Sequence, residues 1–164
     1  MLLFLLKGDS PTWRQLLAGN YRKRKVQWRG LTISIENEIG SVRRGYQPDG
    51  SYTWQVTMRA PYGYILRTKG SDDEQVDCYL GPDMDTATHV YIIHQRKPPL
   101  WINYDECKTM LGWESRAAAI AGYLSHYSDP RFMGEISVLP VDEFVSRVRE
   151  VSRAPLGQRK ITAV

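Results

Sequence analysis

The stretch Ser71-Asp72-Asp73-Glu74-Gln75-Val76-Asp77 places four carboxylates in six positions. Acids this close repel one another unless water solvates them or a cation is shared. Mg²⁺ takes oxygen ligands at about 2.0–2.1 Å and keeps waters and substrate phosphates in its shell. Asp77 falls in an expected strand and Asp72 and Glu74 in the bend before it, so three carboxylates can converge from one turn. A solvated acidic turn is the competing reading. A second constellation, Tyr104-Asp105-Glu106-Cys107-Lys108, joins two carboxylates to an amine. In an extended segment Glu106 and Lys108 share one face and Asp105 takes the other. A carboxylate beside a metal and a lysine beside a phosphate would make a working pair, although an ordinary polar strand end has the same composition. Arg43, Arg44, Arg59, Arg67 and Lys69 add cations suited to phosphate oxygens, arginine by planar two-point contact and lysine as a point charge.

Other chemistries find less support. His89, His94 and His126 lack metal-ligand spacing, and the first two point to opposite sides of an expected strand. No Cys-x-x-Cys, phosphate-cradling glycine loop or Gly-x-Ser-x-Gly elbow occurs. Cys78 and Cys107 make no disulfide framework and read as small buried hydrophobes in a reducing, cytoplasmic setting.

These groups need a scaffold. A chain of 164 residues, 42% hydrophobic and 24% charged, fits one globular domain with its own core. Its net charge of +4 is concentrated at the ends, in Arg22, Lys23, Arg24, Lys25 and Arg29 and again in Arg153, Arg159 and Lys160. Such ends serve as solvated arms or meet a polyanion such as nucleic acid. The apolar start Met1-Leu2-Leu3-Phe4-Leu5-Leu6 falls short of the roughly 20 residues of a membrane span and lacks the basic start and cleavage site of a secretory leader. It reads as a short strand, or as an arm that docks on another protein. No membrane role is expected.

Along the chain, Asp9-Ser10-Pro11 opens a short helix through Leu17, and Gly19-Asn20 closes it. Strands are expected over 26–28 and 31–36, followed by a hairpin of 41–44 with 52–58 around Gln47-Pro48-Asp49-Gly50. Further strands are expected over 62–66 and 76–80, and over 89–95, the most apolar segment and therefore expected at the centre. Helices follow over 114–126 and 141–151, the latter with Phe144, Val145, Val148 and Val151 on its apolar face. The division is an arm with a short helix (1–16), a domain (17–151) and a basic tail (152–164). Strands first and helices last indicate an α+β fold, with two C-terminal helices packed on a curved, barrel-like sheet.

Tyr62-Gly63-Tyr64-Ile65, then Thr68, then Asp72-Asp73-Glu74-Gln75-Val76-Asp77, resembles the signature of soluble family I inorganic pyrophosphatases, where Asp-Gly-Asp-Pro-x-Asp follows Tyr-Gly-Tyr-Ile at the same distance. The chain is more similar still to the pyrophosphatase-like domain of bacteriophage and polyvalent mobile-element proteins. That likeness runs through Leu17-Ala18-Gly19-Asn20-Tyr21, Ile33-Ser34-Ile35-Glu36-Asn37, Gly40-Ser41-Val42-Arg43, Val76 to Pro82, Tyr104 to Lys108 and Met110-Leu111-Gly112-Trp113.

The resemblance implies an OB-like barrel that hydrolyses pyrophosphate, or a nucleotide-like phosphoanhydride, with Mg²⁺ or Mn²⁺. It implies metal ligands at Asp72, Glu74, Asp77, Asp105 and Glu106, with Glu74 and Asp77 carrying catalysis. Phosphate contacts would come from Arg43, Arg59, Tyr62, Lys108 and Tyr127, and Glu36 matches an outer acid. The chain departs from the family at Asp73 for Gly, Glu74 for Asp, Gln75 for Pro and Ser128 for Lys. The alternative is therefore a catalytically degenerate fold acting as a phage virion or assembly protein, with partners docked on the apolar start. The implied location is the host bacterial cytoplasm or the virion.

Overall fold

The computed structural model describes residues 10–70 and 74–153. A short helix α1 (Trp13–Ala18) leads into strands β1 (Arg24–Trp28) and β2 (Leu31–Asn37), then the hairpin β3 (Val42–Tyr46) and β4 (Tyr52–Thr57). Next come β5 (Tyr62–Ile65), β6 (Val76–Leu80), β7 (His89–Arg96) and β8 (Tyr104–Leu111). Helix α2 (Arg116–Leu124), a 3-10 turn (Pro130–Phe132), β9 (Met133–Pro140) and α3 (Val141–Arg153) complete the order.

The caps explain the helix ends. Thr12, not Ser10, caps α1: its hydroxyl accepts from the Gln15 amide while the Gln15 side chain returns to the Thr12 backbone, a reciprocal box that satisfies two otherwise orphaned donors. Gly19, at φ 65°, closes it, as a residue without a Cβ readily does. Ser115 caps α2 by accepting from the Ala118 amide.

Seven strands form one sheet in the order β1-β2-β5-β6-β8-β7-β9, and β3 with β4 forms a separate two-stranded ribbon. The α+β class holds, but the expected barrel does not: β1 and β9 are the two edges of the large sheet and do not pair with each other. All its pairings are antiparallel except β6 with β8. The central strand is β6, not the more apolar β7, which lies next to the edge. Strand β9 was not expected. Its Met-Gly-Glu-Ile-Ser-Val-Leu-Pro sequence carries Gly and Pro, which an edge strand tolerates, and only Leu139 in it is fully buried.

The sheet is apolar on both faces, but differently. One face buries Ile33, Ile35, Ile65, Cys78, Leu80, Val90 and Ile92 under Val141, Phe144, Val145 and Val148 of α3, whose spacing of three and four residues makes one helical stripe. The other carries Tyr62, Tyr79, Tyr91, Ile93 and Met110 against Ala119 and Tyr123 of α2. The two late helices therefore cover opposite faces. The basic segment 22–29 is mostly strand, not arm: Arg24 holds Glu38 with two bonds of 2.6 and 2.9 Å, and Lys25 donates to the Ser34 hydroxyl. The apolar start (1–6), Arg159 and Lys160 lie outside the described residues.

Gly63 explains why Tyr-Gly-Tyr-Ile needs its glycine. It lies opposite Ile35 of β2 and Cys78 of β6, and a Cβ there would overlap the Ser34 carbonyl oxygen and come within 2.9 Å of the Ile35 Cα. Both obstacles are backbone, so a side chain cannot swing aside to make room. Gly63→Ala is expected to lower stability by about 1–3 kcal/mol, the range for overpacking a close-packed interior, measured by urea denaturation. An unchanged midpoint would show that β2 and β5 are not in this contact.

Candidate functional site

Strand alternation sends Tyr62 and Tyr64 of β5, Asp77 and Tyr79 of β6, and Glu106 and Lys108 of β8 to the sheet face covered by α2. The parallel register of β6 and β8, with Cys78 beside Thr109, brings Asp77 level with Lys108. At the centre, the Lys108 ammonium donates to Asp77 Oδ2 at 2.6 Å, Glu106 Oε1 at 2.9 Å and the Tyr62 hydroxyl at 2.9 Å. Lysine has three N–H donors, and three oxygens take them. Tyr62 in turn donates to Asp77 Oδ2 at 2.5 Å.

The Lys108 side chain is 3% exposed. Burial alone would lower its pKa, but the Tyr62, Asp77, Tyr127 and Glu106 oxygens outweigh burial and hold it well above the ordinary lysine value. Its ammonium stays charged.

Two bulges lie beside further carboxylates of this face. The β7–β8 register slips between His94 and Arg96, so Asp105 and Glu106 both stand opposite Gln95. Gln95 Nε2 donates to Asp105 Oδ2 at 3.1 Å and to Glu106 Oε1 at 3.3 Å, and its carbonyl oxygen accepts from the Tyr123 hydroxyl at 2.8 Å. The bulge overturns the expected opposition of Asp105 and Glu106: an extra residue on one strand breaks the two-residue alternation. The second slip, between Ile35 and Asn37, leaves Glu36 as the extra residue of β2.

Burial, and then the nearby Asp77 carboxylate, raise the Glu36 pKa. Burial also raises that of Glu106, with Lys108 opposing and Asp77 and Asp105 adding to the rise. Burial, more than neighbouring charge, is what raises both.

Arg43 reaches in from the hairpin. Its guanidinium lies 4.2 Å from the Tyr62 ring centre and 5.2 Å from that of Trp54, contacts worth about 0.5–2 kcal/mol each. Tyr127 closes another side, its hydroxyl 3.3 Å from that of Tyr79 and its ring stacked on Tyr123 at 4.3 Å. Burial raises the pKa values of Tyr62, Tyr79 and Tyr127, so these hydroxyls keep their protons and remain donors.

The structure thus brings together Arg43, Tyr62, Asp77, Asp105, Glu106, Lys108 and Tyr127. Arg59 is exposed beyond β4, and its backbone amide donates to His126 Nε2 at 2.9 Å; no contact joins its side chain to the Lys108 cluster among the described residues. Glu74 is exposed in the bend before β6, where its carbonyl accepts from the Gly70 amide. Asp72 lies outside the described residues. Sequence reading missed Gln95 and Tyr123. Gln95 was detectable as the one amide continuing the inward alternation of Tyr91 and Ile93.

Among the described residues, no group of three or more His, Cys, Asp or Glu side chains is arranged to hold a metal ion. The donor chemistry nevertheless suits one. Glu36, Asp77, Asp105 and Glu106 are hard oxygen donors of the kind Mg²⁺ prefers.

A family model described as inorganic pyrophosphatase matches residues 13–149. That span runs from α1 into α3 and includes every residue of the cluster. No curated protein and no solved structure matches the chain.

Lys108→Met would leave Asp77 and Glu106 without their shared counter-charge. A loss of about 3 kcal/mol is expected near pH 7, the scale for breaking a buried ion pair, and urea denaturation reads it; an unchanged midpoint would contradict the burial of the pair. Glu36 gives a separate test. Its folded pKa is raised, so the stability tied to its protonated form is fully present below its unfolded pKa of about 4.3 and is lost as pH rises through the folded value. Wild type should therefore lose stability relative to Glu36→Gln as pH rises above about 4. A difference that does not change with pH would contradict the burial of Glu36.

Proposed function

The chain belongs to the inorganic pyrophosphatase family, and from that premise we propose that it hydrolyses a phosphoanhydride, with pyrophosphate the simplest substrate, in a reaction dependent on Mg²⁺ or Mn²⁺. The observation that carries the reading is the Lys108 cluster: a buried cation, protonated tyrosines and several carboxylates on one face of a rigid sheet. Rigid strands suit the placement of reacting groups better than loops do.

In this reading Asp77, Glu106, Asp105 and Glu36 hold the cation, and Asp72 and Glu74 are further candidate ligands. The bound ion would lower the pKa of a coordinated water and offset charge on the phosphates. Everything else falls to the chain's own groups. Lys108 and Arg43 attract the phosphate oxygens, and the Tyr62 and Tyr127 hydroxyls donate to them. A water oxygen bonds to one phosphorus, and the bridging P–O bond breaks with its electron pair on the leaving phosphate. The water proton passes to a carboxylate.

A second reading has one observation in its favour. Lys108 already pairs Asp77 with Glu106, and a lysine that never releases them would leave a phosphate-binding fold without hydrolysis.

Phosphate release from pyrophosphate with Mg²⁺ separates the two. Wild type should turn over, a chelator should stop it, and Asp77→Asn should reduce kcat/KM by about 10²-fold or more, the scale of losing one preorganised charge. Equal background release by wild type and variant would leave the non-catalytic reading standing.

A further inference from the structure

A cavity of about 210 Å³ adjoins the cluster, and Glu36 and Arg43 belong to its wall. Its other walls differ in chemistry from the phosphate side. Leu16 and Leu17 of α1 and Val42 of β3 form an aliphatic side, and Tyr21 and Tyr46 add rings. Asn37 contributes an amide able both to donate and to accept. Helix α1 buries none of its residues, and Leu17 and Val42 remain 49% and 41% exposed. Pyrophosphate is all oxygen and charge and has no use for such a surface. A base and sugar do, since the wall sets this aliphatic and ring surface beside the polar groups of Asn37 and Arg44, and oriented polar groups fix a bound ligand.

We propose that the preferred ligand is a nucleoside polyphosphate, its phosphates at Arg43 on the side of the Lys108 cluster and its base and sugar in the cavity between α1 and the hairpin. This rests on the phosphoanhydride reading of the same site and narrows its substrate class. Arg43 marks the junction, with its guanidinium on the Tyr62 ring and its side chain in the cavity wall. The cleaved anhydride is then one within the nucleotide's own phosphate chain, broken by the same attack of water.

Calorimetry with Mg²⁺ and two non-hydrolysable probes tests this without requiring turnover. The probes are imidodiphosphate and a nucleoside triphosphate with an imido β,γ-bridge, the latter in purine and pyrimidine forms. At least one nucleotide form should bind about tenfold more tightly than imidodiphosphate. Leu17→Trp fills the cavity from a half-exposed position without altering charge. It should remove that advantage and leave imidodiphosphate within about twofold of wild type. Tyr46→Ala, which takes away a ring, should shift the same ratio. Nucleotides binding no better than imidodiphosphate, or variants weakening both probes alike, would overturn the nucleoside subsite and leave the phosphate site intact. Failure of every probe to bind would overturn the phosphate reading and the subsite with it.

Discussion

One ammonium organises this protein's polar face. Lys108 is buried on β8, and its three hydrogen bonds reach three strands: Tyr62 on β5, Asp77 on β6 and Glu106 on its own β8. Removing a cation from water is expensive, and only near partners of opposite charge compensate. The carboxylates face the same difficulty, so each group depends on the others being in register. The cluster therefore constrains the sheet as much as the sheet positions the cluster. A slip of one residue in β6 or β8 would turn Asp77 or Lys108 to the apolar face beneath α3.

Departures from regular pleating accompany the neighbouring groups. Glu36 is the extra residue where β2 slips against β5, and Asp105 joins Glu106 where β8 slips against β7. The β8 bulge re-aims Asp105, which alternation would have sent to the opposite face, whereas Glu36 follows Ser34 to this face by alternation. Gln95 then ties the second bulge to α2 through Tyr123, so the helix covering this face also orients its acids. The ribbon of β3 and β4 contributes Arg43, held between the Tyr62 and Trp54 rings.

Much of this was legible in the residues alone. Alternation predicts that Glu106 and Lys108 share a face, and the structure joins them at 2.9 Å. The spacing of Phe144, Val145 and Val148 predicts the apolar stripe of α3, and all three are buried. What stayed hidden depends on partners distant in sequence. A bulge arises from the register between two strands, so nothing in Tyr104 to Lys108 reveals that Asp105 turns toward Glu106. The openness of the sheet depends likewise on β1 and β9, which are far apart along the chain. Strand β9 was missed because its stability derives from pairing with β7 more than from its own composition. Gln95 was missed because a lone amide in an apolar strand carries no charge signal.

The single parallel pairing, β6 with β8, has a consequence for how the molecule is made. The chain leaves β6, passes through β7, and only then lays β8 into the gap between them. Asp77 and Lys108, 31 residues apart, meet only when that insertion is complete. Loop-closure entropy must be overcome before so distant a contact repays it, whereas the β7–β8 and β3–β4 hairpins can zip locally. The pairing of Asp77 with Lys108 therefore depends on the complete strand order. A chain in which β8 has not yet been inserted holds these two apart, although Glu106 and Lys108 already share one strand.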